Sequence, residues 1–215
     1  MRKYIIIALL LQFVMFDSRA QAPIDGFLNI KDLDSTIVVD LMYAKGDNFV
    51  GEVMYDFSDA YLYPEAAKAV VYANKILARL HPGWRLCVYD ATRPMAVQQK
   101  MWDKVKGTKM QNYVSNPKNG GGLHNYGLAV DVSIVNQVGD SIDMGTKVDA
   151  LTYLSHIDNE EELAEQGKIS WQAVENRRLL RRVMREAGFL TIRTEWWHFN
   201  FTTRADAKAN YKVVK

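Results

Sequence analysis

Strand-like and helix-like runs alternate irregularly along this sequence, and that order favours an α+β fold over a doubly wound parallel sheet. The β-branched run "STIVVDLMYA" (35–44) reads as a strand followed by a loop. Pro64 then opens "PEAAKAVVYANKILARLH", in which Ala66, Ala69, Val70, Ala73, Ile76, Leu77 and Leu80 recur at helical spacing, and "HPG" at 81–83 stops it. "WRLCVYD" (84–90) is a second strand, and Arg93, just before Pro94, is pushed out of helical geometry at the mouth of a helix over 94–105. Loop composition over 106–123 leads into the apolar strand "LAVDVSIV" (128–135), which "NQVGDSI" continues through a hairpin-like turn. "WQAVENRRLLRRVMREAG" (171–188) is an amphipathic helix, with Trp171, Val174, Leu180, Val183, Met184 and Ala187 on one face and Gly188 as its stop. "FLTIRTEWWHFNF" (189–201) closes the chain as a strand. No repeat and no Pro/Gly/Ser-rich linker divides the chain, so one domain is expected.

The N-terminus belongs outside that domain. Arg2 and Lys3, an apolar run from Tyr4 to Phe16, and the small residues of "DSRAQA" have the layout of a secretory signal peptide, which puts residues 1–22 in a cleaved segment and 23–215 in the mature domain. The run is shorter than the roughly 20 apolar residues a membrane span needs, and no cysteine follows it for lipid attachment. The mature protein is therefore expected to be exported, periplasmic or otherwise extracytoplasmic, without stable membrane insertion. Of 27 basic and 25 acidic residues, cleavage removes three (Arg2, Lys3, Arg19) and one (Asp17), leaving 24 of each. A neutral chain without a basic stripe argues against nucleic acid, whose binding rests on many Lys and Arg contacts to phosphate. The one cysteine, Cys87, cannot form an intramolecular disulfide, so stability must come from the core or from a metal.

Four histidines are present, and they are the first place to look for a metal. Catalytic zinc takes three protein ligands and keeps a fourth position open. His81 lies at a helix end, where capping is the expected role, and His156 in "LTYLSHID" reads as structural. In "GGLHNYGLAVDVS" (121–133), a glycine-rich approach brings His124 seven residues before Asp131, and a bend at Gly127 lets both face one point. "TEWWHF" holds Glu195 and His198. Three positions apart, they share a face on a helix but not on a regular strand, so joint action demands a bulge or tight bend there. No G-x-S-x-G and no H-E-x-x-H segment occurs, which leaves serine hydrolases and helix-based zinc proteases unsupported.

His124-x6-Asp131, Glu195-x-x-His198 and the upstream "YDATRP" resemble the zinc D,D-peptidases. Within them, "DLMYAKGDNFVGEVMY" (40–55), "DMGTKVDALTYLSH" (143–156) and "NRRLLRRVMREAGF" (176–189) look like the D-alanyl-D-alanine dipeptidases, over about residues 28–201. The resemblance implies one domain with a central antiparallel sheet flanked by helices, the Hedgehog-like fold of that group. It implies Zn2+ held by His124, Asp131 and His198, with Glu195 as the general base that takes a proton from the attacking water and delivers it to the leaving amine. It also implies that Arg93 holds the oxyanion and that Asp149 binds the free ammonium of a small D-amino-acid dipeptide, D-Ala-D-Ala, in cell-wall peptide turnover. From the residues alone, Arg93 can equally pair with Asp90, and Asp149 can cap the segment after it.

One position departs from the pattern. The similar dipeptidases carry a serine two residues before the first histidine, where this chain has Gly122, and "HNYGLAVD" reads more like zinc peptidases that trim longer peptides. A D,D-carboxypeptidase or endopeptidase acting on longer peptidoglycan peptides is therefore the alternative, and a catalytically silent peptidoglycan-binding module is a third reading.

Overall fold

β5 (Ala129–Val135) organises the molecule, because it is buried along its whole length. In the computed structural model, which describes residues 26–215, the elements run β1 (Leu28–Asn29), α1 (Ile30–Leu33), β2 (Val38–Val39), β3 (Tyr61–Leu62), α2 (Pro64–Leu80), β4 (Arg85–Asp90), α3 (Met95–Val105) and β5. They continue with α4 (Glu160–Glu165), α5 (Trp171–Glu186), β6 (Leu190–Thr191), β7 (His198–Asn200) and α6 (Arg204–Asn210). The expected signal peptide lies outside the described residues.

Five strands form the main sheet in the order β2-β4-β5-β7-β6. The pairs β4·β5, β5·β7 and β6·β7 are antiparallel, and the edge strand β2 joins β4 in parallel. The expected α+β domain with an antiparallel central sheet is thus present, with one parallel edge. A strand buried on both faces needs a nearly continuous apolar run. β5 has one, broken by Asp131 and Ser133, and an unbroken run would have put no chemistry in the middle of the sheet.

Helices cover the sheet for the reason the sequence predicts. Along α2 the residues at helical spacing are buried, Ala66, Val70, Ala73 and Leu77 completely, and Pro64 occupies the first turn, where its missing N–H costs nothing. The two ends of the expected apolar faces are different: Leu80 is 43% exposed and Trp171 is 52% exposed. At a helix terminus the stripe has run past the edge of the sheet, and no neighbour remains to cover it. Gly188 ends α5 with φ +94°, a conformation that suits glycine.

Two strand expectations are shortened, and one expected loop contains local structure. Of 35–44, Val38–Val39 pair, and Met42–Ala44 turn into a 3-10 helix that delivers Tyr43 to the interior. The loop expected over 106–123 contains short 3-10 turns at Lys109–Tyr113 and Pro117–Asn119. The closing strand over 189–201 is broken into β6 and β7, which pair as a hairpin with Leu190 opposite Asn200. The residues between them leave the sheet, which is the bend that Glu195 and His198 require.

Candidate metal centre and substrate pocket

Three strands and a turn bring the site together. The turn Leu123–Tyr126 carries His124 and ends at Gly127, whose φ of +65° reverses the chain into β5. A side chain at Gly127 would also strike Phe27 and Thr92, so glycine is needed there twice over. Asp131 lies on β5 opposite His198 of β7, and a register irregularity in β4 between Val88 and Asp90 sets Asp90 opposite Asp131. Such irregularities re-aim side chains at the end of a strand.

His124, Asp131 and His198 form the one group of three or more His, Cys, Asp or Glu among the described residues whose donor atoms converge. His198 Nδ1 is 3.0 Å from Asp131 Oδ1, and His124 Nε2 is 3.1 Å from His198 Nδ1 and 3.3 Å from Asp131 Oδ1. Donors about 2.0–2.1 Å from a tetrahedral zinc stand roughly 3.3 Å from each other, so the triangle has the dimensions of such a site. The outer nitrogens decide the rest. His124 Nδ1–H donates to the Ala91 carbonyl at 2.7 Å, and His198 Nε2–H donates to Asn200 Oδ1 at 2.8 Å. In the neutral rings, both inward nitrogens then present lone pairs, beside a carboxylate. Three electron-rich atoms with no proton to share fit a bound cation.

The surrounding carboxylates favour positive charge at the triangle. Burial disfavours the charged form of His124, but Asp131 and Asp90 outweigh it and raise its pKa. Burial likewise opposes ionisation of Asp131, yet the facing imidazoles of His124 and His198 hold its carboxylate well below the usual range.

Around the triangle lies a cavity of about 360 Å³ whose lining includes Tyr43, Arg93, Asp149 and Glu195. Glu195 Oε2 is 3.9 Å from His198 Nδ1. Burial pushes its carboxyl up to about 7, against the opposing pull of His198, so near neutral pH it can both accept and release a proton. The two tryptophans that follow are buried and meet edge-on at 5.3 Å, and Trp196 Nε1 donates to Thr146, so the bend is rigidly held.

Arg93 makes the pair with Asp90 that the sequence left open, and it also lines the cavity. Its Nε and Nη2 donate to Asp90 Oδ2 at 3.1 and 2.5 Å, Nη1 donates to Gln98 at 3.1 Å, and its guanidinium lies 5.1 Å from the centre of the Tyr43 ring. The pair with Asp90 orients the fork while its edge lines the cavity. Burial alone would favour loss of its proton, and the surrounding Asp90, Tyr43, Tyr55 and Asp131 reverse that and keep it charged.

Asp149 does not cap the segment after it. It accepts hydrogen bonds from Tyr43 Oη at 2.9 Å and from the Phe49 backbone N–H at 3.1 Å, with its own backbone in the left-handed region at φ +67°. A non-glycine residue is held there only where its surroundings impose it. The clamp is Arg177, completely buried on α5, which donates from Nε to the Met144 carbonyl and from Nη2 to the Leu154 carbonyl, at the two ends of the segment that bears Asp149. Burial raises the Asp149 carboxyl to about 7, with the bonds from Phe49 and Tyr43 opposing.

The remaining histidines stay outside. His81 stacks on Trp84 at the end of α2, and His156 Nε2 lies 3.1 Å from Tyr113 Oη. Asp90, Tyr43, Asn200 and Arg177 escaped the sequence reading as site residues. Asn200 had a usable signal, since it lies two residues beyond His198 on one strand face; Tyr43 and Arg177 had none beyond the stretches that carry the family likeness. Gly122 lines the cavity, and a Cβ added there would sit 3.0 Å from Ser115 Oγ. A serine hydroxyl therefore stands beside the vacant side-chain position, supplied from another part of the chain.

The sequence profile of the D-ala-D-ala dipeptidase family of peptidases matches residues 24–214. The chain belongs to the D-ala-D-ala dipeptidase family. It is 30% identical to a D-alanyl-D-alanine dipeptidase of Escherichia coli over 167 residues, 78% of this chain and 80% of that protein. A Synechocystis protein of the same name is 29% identical over 60% of this chain and 64% of its own length, and one from Enterococcus faecium is 25% identical over 81% and 90%. The dipeptidase family is one of metallopeptidases, and the His–Asp–His triangle is where this member can hold the metal.

Proposed function

We propose that the protein hydrolyses the dipeptide D-Ala-D-Ala to two D-alanines, using zinc held by His124, Asp131 and His198. What supports the reading above all is the meeting, in one cavity, of the lone-pair triangle with a carboxyl poised near neutrality, a fixed guanidinium and a second, separate carboxylate. A bound zinc supplies Lewis acidity and makes water a better nucleophile at neutral pH. Glu195, placed 3.9 Å from His198, takes the proton from the attacking water and passes it to the leaving amine. Arg93, pinned by Asp90 and Gln98, faces the oxygen of the scissile carbonyl as charge builds there, which is worth about 10²- to 10³-fold in rate for a preorganised donor. Asp149 pairs with the substrate ammonium, which fixes how far the dipeptide enters.

The signal-peptide layout of residues 1–22 supports export and action on cell-wall peptides outside the cytoplasmic membrane. The departure at Gly122 supports a second reading, in which longer D,D-peptides are trimmed. Release of D-alanine by the zinc-loaded protein from D-Ala-D-Ala, N-acetyl-D-Ala-D-Ala and a muramyl pentapeptide separates the two. Cleavage confined to the free dipeptide supports the dipeptidase, cleavage of the blocked or longer substrates supports trimming, and no cleavage of any of them rejects both.

A further inference from the structure

A free dipeptide carries two charges, and the arrangement above gives a partner to one. Among the described residues that line the 360 Å³ cavity, Arg93 and Arg204 alone carry a permanent positive charge. Arg93 is committed: three of its nitrogens are bound to Asp90 and Gln98, and its remaining N–H groups serve the scissile carbonyl in the reading above. Arg204 is solvent-exposed at the first residue of α6, and its guanidinium makes one hydrogen bond among the described residues, from Nη2 to the Asn119 carbonyl at 3.2 Å. Its remaining donors are open to a ligand.

Along β5, the chain that leads to Arg204 departs on one side of Asp131, and Ser133, in the cleft that Asp149 also lines, lies on the other. Ser133, two residues beyond Asp131 on β5, lines a neighbouring cleft of about 750 Å³ that shares Asp149 and Phe49 with the central cavity. Ala129, two residues before Asp131, pairs with Asn200, from which four residues of chain lead to Arg204. A carboxylate and a guanidinium lining one cavity suit the two charges of a zwitterion, which in an extended dipeptide lie roughly 7 Å apart.

We propose that Arg204 receives the α-carboxylate of the substrate's C-terminal residue, so that the pocket reads a free C-terminus at one end as Asp149 reads a free N-terminus at the other. This rests on the hydrolytic reading above and sharpens it: a site that requires a terminal carboxylate removes end residues and does not cut within a chain.

The test compares D-Ala-D-Ala with D-alanyl-D-alaninamide as substrates of the zinc-loaded protein and its Arg204→Ala and Arg204→Lys variants. Arg204 is exposed, so the variants fold, which thermal melting verifies. The expected result is a rise in KM for the acid of roughly 5- to 30-fold in Arg204→Ala with kcat within about 3-fold, no change for the amide, and partial recovery in Arg204→Lys. An unchanged KM for the acid, or equal losses on acid and amide, overturns the assignment. Wild-type protein inactive on D-Ala-D-Ala overturns the hydrolytic reading and this inference with it, whereas an active wild type beside an unaffected variant overturns the inference alone.

Discussion

His124 Nε2 and His198 Nδ1 face each other at 3.1 Å, from positions 74 residues apart in the chain. Each ring has its proton held on the far side, by the Ala91 carbonyl and by Asn200. Without a cation, the inward lone pairs and the Asp131 carboxylate repel. Chelation is therefore expected to abolish activity and lower Tm, and zinc to restore both. Asn200→Ala frees the outer nitrogen of His198 and should weaken zinc binding about 10- to 100-fold, a change that competition with a chromogenic chelator measures directly. Unaltered affinity would mean that Asn200 does not set the ring.

Arg93 and Asp90 share a buried pair, with Asp90 also accepting from Tyr55 Oη at 2.6 Å. Removing the carboxylate leaves a buried guanidinium uncompensated, so Asp90→Ala is expected to cost about 3–5 kcal/mol of stability, readable in denaturant melts. Arg93→Lys keeps the charge but loses the planar fork. It should fold and lose about 10²-fold in kcat with a much smaller change in KM.

Asp149 ionises near pH 7 in the folded chain against an ordinary 3.8. The folded state thus holds this proton more tightly, so the contribution to stability is complete below about pH 4 and is lost as pH rises through 7. Asp149→Asn should therefore melt above wild type by more at pH 8 than at pH 4, and the difference between those two gaps is the measurement. The same substitution removes the partner of the substrate ammonium. KM for the free dipeptide should rise at least 10-fold at pH 8, and for wild type kcat/KM should climb with pH up to about 7.

Ser115 Oγ sits 3.0 Å from where a Cβ at Gly122 would be. If that hydroxyl serves the pocket, Ser115→Ala raises KM for the dipeptide by about 3- to 10-fold, and adding Gly122→Ser to Ser115→Ala recovers it. A double variant no better than Ser115→Ala would show that the two positions are not interchangeable.

Much of this molecule was legible from local pattern. α2, α5 and β5 announce themselves because helical and strand periodicities are properties of neighbouring residues, and Pro64 and Gly188 punctuate them by their own backbone preferences. His124, Asp131, Glu195 and His198 are grouped through the resemblance to the zinc D,D-peptidases, and the structure brings the donors of His124, Asp131 and His198 together with Glu195 3.9 Å from His198. The need for a bend between Glu195 and His198 followed from strand geometry alone, and the break between β6 and β7 supplies it.

Other features depend on contacts that no segment encodes by itself. Asp90 reaches Arg93 and His124 through an irregularity in the β4·β5 register, and Tyr43 reaches Asp149 across 106 residues. Arg177 looked like one charge among many on an amphipathic helix, yet it is buried because two carbonyls of the Asp149 segment and Glu160 satisfy it. The sequence by itself thus determined which elements form and which side chains can do chemistry, since propensity, periodicity and ligand chemistry act locally. Only the tertiary structure decided which of those side chains meet, because strand register and loop closure set distances between residues far apart in the chain.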